Sequence, residues 1–144
     1  VAHEEVEVVQ AVMDGDGQDP PEAVPLLLEA LARHDADVVF ATRRGRYEAL
    51  PRLVTGHMLK WSLWLLTRGK VPRDAGLFIV MRRAAADLVV AHAGSDPYVL
   101  VLAARAARTV ATVSVERAPA GPSSYTSRMR WRVARRALAT ALRR

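Results

Sequence analysis

Short β-type runs and longer helical runs of apolar residues alternate along the chain. The β-branched run over 6–13 stops at a Gly- and Asp-rich turn, as a buried strand does before a tight loop. A proline pair and an apolar run ending near His34 then predict a helix, with Asp19 as its N-cap. Because residues 37–42 form another β-type run, we expect a βαβ unit in a parallel sheet.

The rest of the chain continues this alternation. A polar, Gly-containing segment over 43–53 predicts a loop, and residues 54–66 predict a strongly apolar helix. Beyond these, the pattern predicts strands at 77–81 and 109–115, helices at 84–92, 98–108 and 127–144, and a Pro- and Ser-rich loop at 118–124. Since no internal repeat or low-complexity linker interrupts the order, one α/β domain is predicted.

The composition excludes several classes of function. The chain has 144 residues, 51% of them hydrophobic and 25% charged, which suits a globular domain with a real core. It has no Cys, which excludes a disulfide scaffold, a thiolate zinc site and a cysteine nucleophile. No apolar run reaches the ~20 residues that span a bilayer, and no signal-peptide pattern is present, so we expect a cytoplasmic protein.

Charge is divided unequally along the sequence. Residues 1–40 carry ten acids and one base, the remainder carries five acids and twenty bases, and no acid follows Glu116. Nineteen of the 21 bases are Arg, whose guanidinium fork binds phosphate through two parallel hydrogen bonds. This pattern indicates a phosphate-bearing partner for the basic part of the chain.

The first candidate site is the turn formed by Asp14, Gly15 and Asp16. It directly follows the first predicted strand, and parallel sheets bind their ligands at the carboxyl ends of strands. Two carboxylates there could bind Mg²⁺ or Mn²⁺ against substrate phosphates, with Gln18 as a further polar contact. A solvated acidic turn that caps the next helix fits the same spacing.

Two other segments carry groups that bind anions. Arg43 ends the second predicted strand and could bind a diphosphate from the flank opposite the cation, although a lone surface charge is the simpler interpretation. The loop from Arg117 to Tyr125 includes Ser123, and its hydroxyls could donate to an anion. A plain connection between a strand and a helix is the alternative for this loop.

The segment over 127–144 predicts a basic helix. At helical spacing Met129, Val133 and Ala137 share one side, whereas most of the Arg residues lie off it. A basic helix that contains a Trp suits an anionic membrane surface, and it equally suits nucleic-acid phosphates. A solvated helix end is the third interpretation.

Taken in order, these segments resemble the family-2 glycosyltransferases, in particular the polyprenyl-phosphate (dolichol-phosphate) mannosyl- and glucosyltransferases. The similarity covers residues 6–130. Its motifs are DGDGQDPPE over 14–22, the strand ending in Arg43, Arg52 before the apolar helix, the D-x-G-x-F segment from Asp74 to Phe78, and an R-x-x-x-G-x-S-x-Y loop from Arg117 to Tyr125.

The resemblance implies a GT-A fold, which is an α/β architecture with a mixed, mostly parallel sheet flanked by helices. It implies that Asp14 and Asp16 bind Mg²⁺ or Mn²⁺ against a GDP- or UDP-sugar, with Asp16 also catalytic. The family's acid on the acceptor side would be Asp74, with Asp96 as a second candidate. The substrate-binding residues that it implies are Gln18, Arg43, Arg52, Arg117, Ser123 and Tyr125. The implied acceptor is a polyprenyl phosphate or a saccharide, at the inner face of the cell membrane.

The resemblance further implies that residues 1–125 are the C-terminal portion of a GT-A domain and that residues 126–144 are a basic amphipathic helix. Members of the family have a nucleotide-binding part before the DXD strand, so we expect this chain alone to bind sugar nucleotide poorly. A non-catalytic basic module that binds an anionic membrane or, less favoured, nucleic acid is the alternative function. A degenerate remnant with exposed sheet edges is a third.

Overall fold

The computed structural model describes residues 9–43, 50–94, 96–116 and 126–143, apart from the side chains at 43, 50–56 and 127. These residues form four strands, five α-helices and one 3-10 turn. In chain order the elements are β1 (Val9–Val12), the 3-10 turn (Pro21–Ala23), α1 (Val24–Arg33), β2 (Val38–Arg43), α2 (Leu50–Leu66), β3 (Ala75–Arg82), α3 (Arg83–Ala91), α4 (Val99–Ala106), β4 (Val110–Val115) and α5 (Ser127–Leu142).

The four strands form one mixed sheet in the order β1-β3-β2-β4. Strand β3 lies between β1 and β2 and is antiparallel to both, so β1 and β2 point the same way without pairing. Strands β2 and β4 pair in parallel, from Val38 opposite Val110 to Arg43 opposite Val115. The α/β class with helices on a mixed sheet is therefore confirmed.

The prediction of a mostly parallel sheet is wrong at the level of strand pairing, because two of the three neighbouring pairs are antiparallel. The difference comes from β3, which begins at the end of the sheet where β2 finishes, so the connection through α2 does not cross back over the sheet. Its central position agrees with its consecutive residues from Phe78 to Met81, which are all buried. A strand that is apolar on both faces needs cover on both faces, and it gains that cover from a central position in the sheet.

Helices cover both faces of the sheet. Because successive side chains of a strand point to opposite faces, β2 and β3 supply two separate cores. One core holds Val38, Phe40, Ile79 and Met81 together with residues of α3 and α4. The other holds Val39, Ala41, Phe78 and Val80 together with residues of α1.

A third, smaller cluster lies on the outer side of α4. It joins Leu63 of α2, Val101 of α4 and Ala137 of α5. Helices α2 and α5 therefore form an outer layer over α4, and α5 is packed into the fold through Ala137. Among the described helices none is both long enough and apolar enough to cross a membrane.

The predicted strands and helices are confirmed within the described residues, with shifted boundaries, and two details of the prediction are wrong. Helix α2 begins at Leu50, so the expected loop does not extend over residues 50–53. Pro51 is compatible with this start, since proline is tolerated in the first turn of a helix. The N-cap of the 3-10 turn is Pro20, and Asp19 is a buried residue instead of the cap. The predicted loop at 118–124 lies outside the described residues, as do residues 44–49 of the other predicted loop and residues 6–8 of the first predicted strand.

Candidate functional site

The charged residues that the sequence singled out lie at one end of the sheet. Strands β1, β2 and β4 all terminate at this end and the antiparallel β3 begins there, and we call this end the carboxyl edge. Asp14 and Asp16 follow β1, Arg43 is the last residue of β2, and Asp74 directly precedes β3. The topology thus places all four residues at the same edge, with β3 between the ends of β1 and β2.

The turn after β1 has a defined local conformation. The backbone N–H of Gln18 donates a hydrogen bond of 3.0 Å to Oδ1 of Asp16, which is the pattern of an Asx turn. Gly17 has a φ of +74°, in the left-handed region that glycine adopts without strain. Asp16 is exposed, while Asp14 and Gln18 are half-buried. The turn therefore presents the Asp16 carboxylate to solvent in a fixed orientation.

The donor set of this turn suits a cation that is shared with a phosphate ligand. Within the described ranges, no three His, Cys, Asp or Glu side chains lie close enough together to hold a metal ion by themselves. Magnesium is commonly bound by one or two carboxylates, with substrate phosphates and water completing its octahedron. Asp14 and Asp16 can supply two carboxylates of that kind, so the residues present fit such an ion.

The remaining predicted site residues are placed as follows. Asp74 is exposed at the start of β3. Arg52 lies in the first turn of α2, so the expectation that it precedes the helix is wrong. Arg117, Ser123 and Tyr125 lie outside the described residues.

Asp96, a second acid considered for the acceptor side, is engaged in an ion pair. Nε of Arg136 lies 2.7 Å from its Oδ1, in a close charge contact whose alignment is not that of a hydrogen bond. The contact joins the segment before α4 to α5. This placement gives Asp96 a role in packing and leaves Asp74 as the candidate acid for the acceptor side.

The opposite end of the sheet, where β2 and β4 begin and β3 ends, holds a polar network that sequence reasoning missed. Oδ2 of Asp37 accepts hydrogen bonds from the backbone N–H groups of Arg108, at 2.7 Å, and Thr109, at 3.0 Å. Arg82 extends the network by donating from Nε to the carbonyl oxygen of Ala36, at 2.9 Å. Because about seventy residues separate Asp37 from its partners, no local pattern in the sequence signals the network.

These contacts shift the ionisation of Asp37. Burial acts to raise the pKa of its carboxyl group. The backbone N–H groups of Thr109 and Arg108, the Thr109 hydroxyl and the charge of Arg82 outweigh burial and hold the pKa below its ordinary value. Asp37 is thus a structural carboxylate that is ionised at neutral pH.

Sequence reasoning also missed the exposed side of α2, where Trp61 and Trp64 form an edge-to-face pair with ring centroids 5.7 Å apart. The signal was present, since the apolar residues of this helix occupy more than one face.

Functional evidence for this chain comes from the site itself. A comparison with protein-family models finds no match, and a comparison with curated proteins finds none either.

Proposed function

We propose that this chain is a metal-dependent glycosyltransferase that transfers a sugar from a GDP- or UDP-sugar to a polyprenyl phosphate or a saccharide. The observation that carries the proposal is the position of the Asp14–Asp16 turn at the carboxyl edge, directly after a strand. Open α/β sheets bind their ligands in the crevice outside the carboxyl ends of their strands. A GT-A fold is part of the same proposal, and it is supported by the common direction of β1, β2 and β4 in the mixed sheet.

Asp14 and Asp16 would bind the cation, Mg²⁺ or Mn²⁺, with Gln18 as a neighbouring polar group. When bound, the cation supplies positive charge to the diphosphate of the leaving nucleotide. The Asx turn at Asp16 supports this role, because it orients one carboxylate before any ligand arrives. An oriented carboxylate loses less conformational freedom when it binds.

Arginine residues would hold the phosphates from the other side. Arg43 ends β2 at the same edge as the Asp14–Asp16 turn, and its guanidinium group can bind a phosphate through two hydrogen bonds. In the same proposal Arg52 and Arg117 bind further phosphates of the donor or the acceptor, and Ser123 and Tyr125 donate hydroxyl hydrogen bonds in that pocket.

The identity of the acceptor decides whether the site needs a general base. A lipid phosphate is already anionic at neutral pH, so it needs orientation more than a general base. A saccharide hydroxyl, in contrast, must lose a proton as it attacks. Asp74, exposed at the start of β3, is the acid we assign to the acceptor side, and it would accept that proton.

Equilibrium dialysis of the full chain with radiolabelled GDP-mannose or UDP-glucose, with and without Mn²⁺, tests the proposal. Because we expect this chain alone to bind sugar nucleotide poorly, the expected result is weak, Mn²⁺-dependent binding. Asp14→Asn and Asp16→Asn should each weaken it at least tenfold, because each variant removes one charged ligand. Asp87→Asn is the matched control, since Asp87 is an exposed acid on α3. Binding that does not depend on Mn²⁺, or that is unchanged in both Asp variants, would overturn the proposal.

Transfer is measured separately, as Mn²⁺-dependent movement of label from the nucleotide to added polyprenyl phosphate or to an oligosaccharide. Product formed on the lipid phosphate identifies the first acceptor, and product on the oligosaccharide identifies the second. Asp74→Asn should slow transfer to the oligosaccharide more than transfer to the lipid, because only the hydroxyl acceptor needs a base.

A further inference from the structure

The outward side of α2 carries large apolar side chains that the described part of the structure leaves uncovered. Met58 and Leu65 are 67% and 66% exposed, and Trp61 is 46% exposed. These three residues recur at i, i+3 and i+7, which places them in one stripe along the helix. Single exposed apolar residues are ordinary on protein surfaces, but a contiguous stripe indicates an interaction site.

Helix α5 packs against α2 and has an exposed side of its own. Leu63 of α2, Val101 of α4 and Ala137 of α5 belong to one buried cluster. On α2 the stripe lies on the side opposite Leu63, and on α5 the exposed side lies opposite Ala137. The two helices therefore turn two exposed surfaces away from their shared cluster, and we call these surfaces together the outer helix face.

The α5 part of the outer helix face is cationic. Arg128, Arg132 and Arg135 are exposed at i, i+4 and i+7, and Trp131 among them is 73% exposed. Neither α2 nor α5 contains an Asp or Glu residue. The face thus combines Arg and Trp on one helix with Trp, Met and Leu on the other.

A cation also lies directly beside the apolar stripe. The guanidinium carbon of Arg73 lies 4.3 Å from the ring centroid of Trp61, as in a cation–π contact. A Trp with a cation over its ring face suits the boundary between lipid headgroups and acyl chains, where apolar and charged groups lie side by side.

We infer that the outer helix face binds the surface of an anionic lipid bilayer. Met58, Trp61 and Leu65 enter the boundary between headgroups and acyl chains, while Arg128, Arg132 and Arg135 bind lipid phosphates. This inference does not rest on sugar transfer, because it uses none of the residues of the carboxyl edge.

The chemistry of the face favours a bilayer over two other occupants. Nucleic acid would engage the Arg residues and could stack on Trp131, but it offers no apolar phase for Met58 and Leu65. A second copy of the chain would bring the Arg residues of one α5 close to those of another, and like charges repel. An anionic bilayer satisfies the charge and the apolar stripe together.

Co-sedimentation of the full chain with vesicles tests the inference. One set of vesicles is pure phosphatidylcholine, and the other is an equimolar mixture of phosphatidylcholine and phosphatidylglycerol. We expect binding to the mixed vesicles that falls as salt is raised, because salt screens the Arg–phosphate attraction. A single-Trp variant that retains Trp61 (Trp64→Phe with Trp131→Phe) should show a blue-shifted emission on binding.

Two matched pairs of variants separate the apolar and ionic parts. Leu65→Gln should weaken binding about tenfold. Leu26→Gln makes the same change at an exposed position of α1, on the other face of the sheet, and should not weaken binding. Arg132→Gln with Arg135→Gln should weaken binding about 25-fold, whereas Arg33→Gln with Arg108→Gln, which removes the same charge elsewhere, should have little effect.

Several outcomes would overturn the inference. They are absence of binding to the mixed vesicles, equal losses in the matched controls, and binding that survives Leu65→Gln. Tight binding to RNA or DNA without vesicle binding would assign the face to nucleic acid. Self-association measured by analytical ultracentrifugation and abolished by Leu65→Gln, again without vesicle binding, would assign it to a second copy.

Discussion

The carboxylate of Asp37 accepts a hydrogen bond from the backbone N–H of Thr109, at 3.0 Å, where the parallel strands β2 and β4 begin. The N–H of Arg108 donates to the same oxygen atom, at 2.7 Å. One side chain therefore satisfies two backbone donors just before the parallel ladder starts. Since β4 is the last strand of the described sheet and has β2 as its neighbour there, this contact fixes the start of β4 against β2.

Replacement of Asp37 should destabilise the fold by an amount set by these two donors. Asp37→Ala should lower the free energy of unfolding by about 1–2 kcal/mol, because the site is partly open to water that can replace the carboxylate. Asp37→Asn keeps an acceptor oxygen and should cost less. Urea titration measures both values. The control is Asp35→Asn, which changes an exposed acid paired with Arg82 and should change the free energy of unfolding by less than about 0.5 kcal/mol.

The depressed pKa of the Asp37 carboxyl group predicts how its contribution depends on pH. A carboxyl with a lower pKa in the folded state contributes stability that is complete above its unfolded pKa, about 3.9, and that disappears as the pH falls through the folded pKa. The stability difference between the wild type and Asp37→Asn should therefore be constant from neutral pH down to about 5 and shrink below about 4. A difference that grew on acidification would contradict this assignment.

The sheet shows where local patterns stop being informative. Each strand was predictable from its β-branched run, and β2 was predicted to within one residue. The insertion of β3 between β1 and β2 was not predictable, because hydrophobic periodicity encodes which residues face a core and not which strand lies alongside. The all-buried run from Phe78 to Met81 was the available hint of a central strand.

In the candidate site, too, features next to a strand in sequence were predictable and features made by tertiary contacts were not. The Asp14–Asp16 turn and Arg43 were predictable as strand-end residues, since each is adjacent in sequence to its strand. The Asp37 network and the cation–π contact of Arg73 on Trp61 were not, because both depend on tertiary contacts. The start of α2 had a local signal in Pro51, which the polar residues around it obscured.

The end of α2 depends on a glycine. Gly69 has a φ of +80°, and its N–H donates to the carbonyl oxygen of Trp64, at 2.7 Å, in a helix-terminating turn. A Cβ atom at this position would lie 3.3 Å from Nε1 of Trp64, so Gly69→Ala adds crowding to left-handed strain. We expect thermal unfolding to show a loss of about 1–2 kcal/mol. Gly15→Ala, where a Cβ atom meets nothing within 4 Å, should change stability little.

Arg105 should hold the last turn of α5 in place. Its Nη1 donates to the carbonyl oxygen of Thr140, at 3.0 Å, and to that of Arg143, so it satisfies carbonyls that have no partner at a helix end. Arg105→Met keeps the aliphatic stem and removes these bonds. Amide hydrogen exchange in the last turn should then accelerate about fivefold, which corresponds to about 1 kcal/mol. Arg108→Met is the control, because Arg108 is exposed and its described hydrogen bond is made by its backbone N–H. It should leave the exchange rate in the last turn of α5 unchanged.

Two leucines of α2, separated by one residue, test the orientation of the helix directly. Leu63 is 3% exposed in the cluster with Val101 and Ala137, whereas Leu65 lies on the outward side and is 66% exposed. Leu63→Ala should lower the free energy of unfolding by about 2–4 kcal/mol, because it opens a cavity between three helices. Leu65→Ala should lower it by less than about 0.5 kcal/mol, because its side chain contributes little burial.

Urea titration of both variants measures the two free energies, and vesicle co-sedimentation should give the reverse ranking. Leu65→Ala should weaken binding to anionic vesicles, since it removes part of the apolar stripe, whereas folded Leu63→Ala retains that stripe and should bind like the wild type. If both variants lost similar stability, the orientation of α2 against α4 and α5 would be wrong, and with it the assignment of the outer helix face.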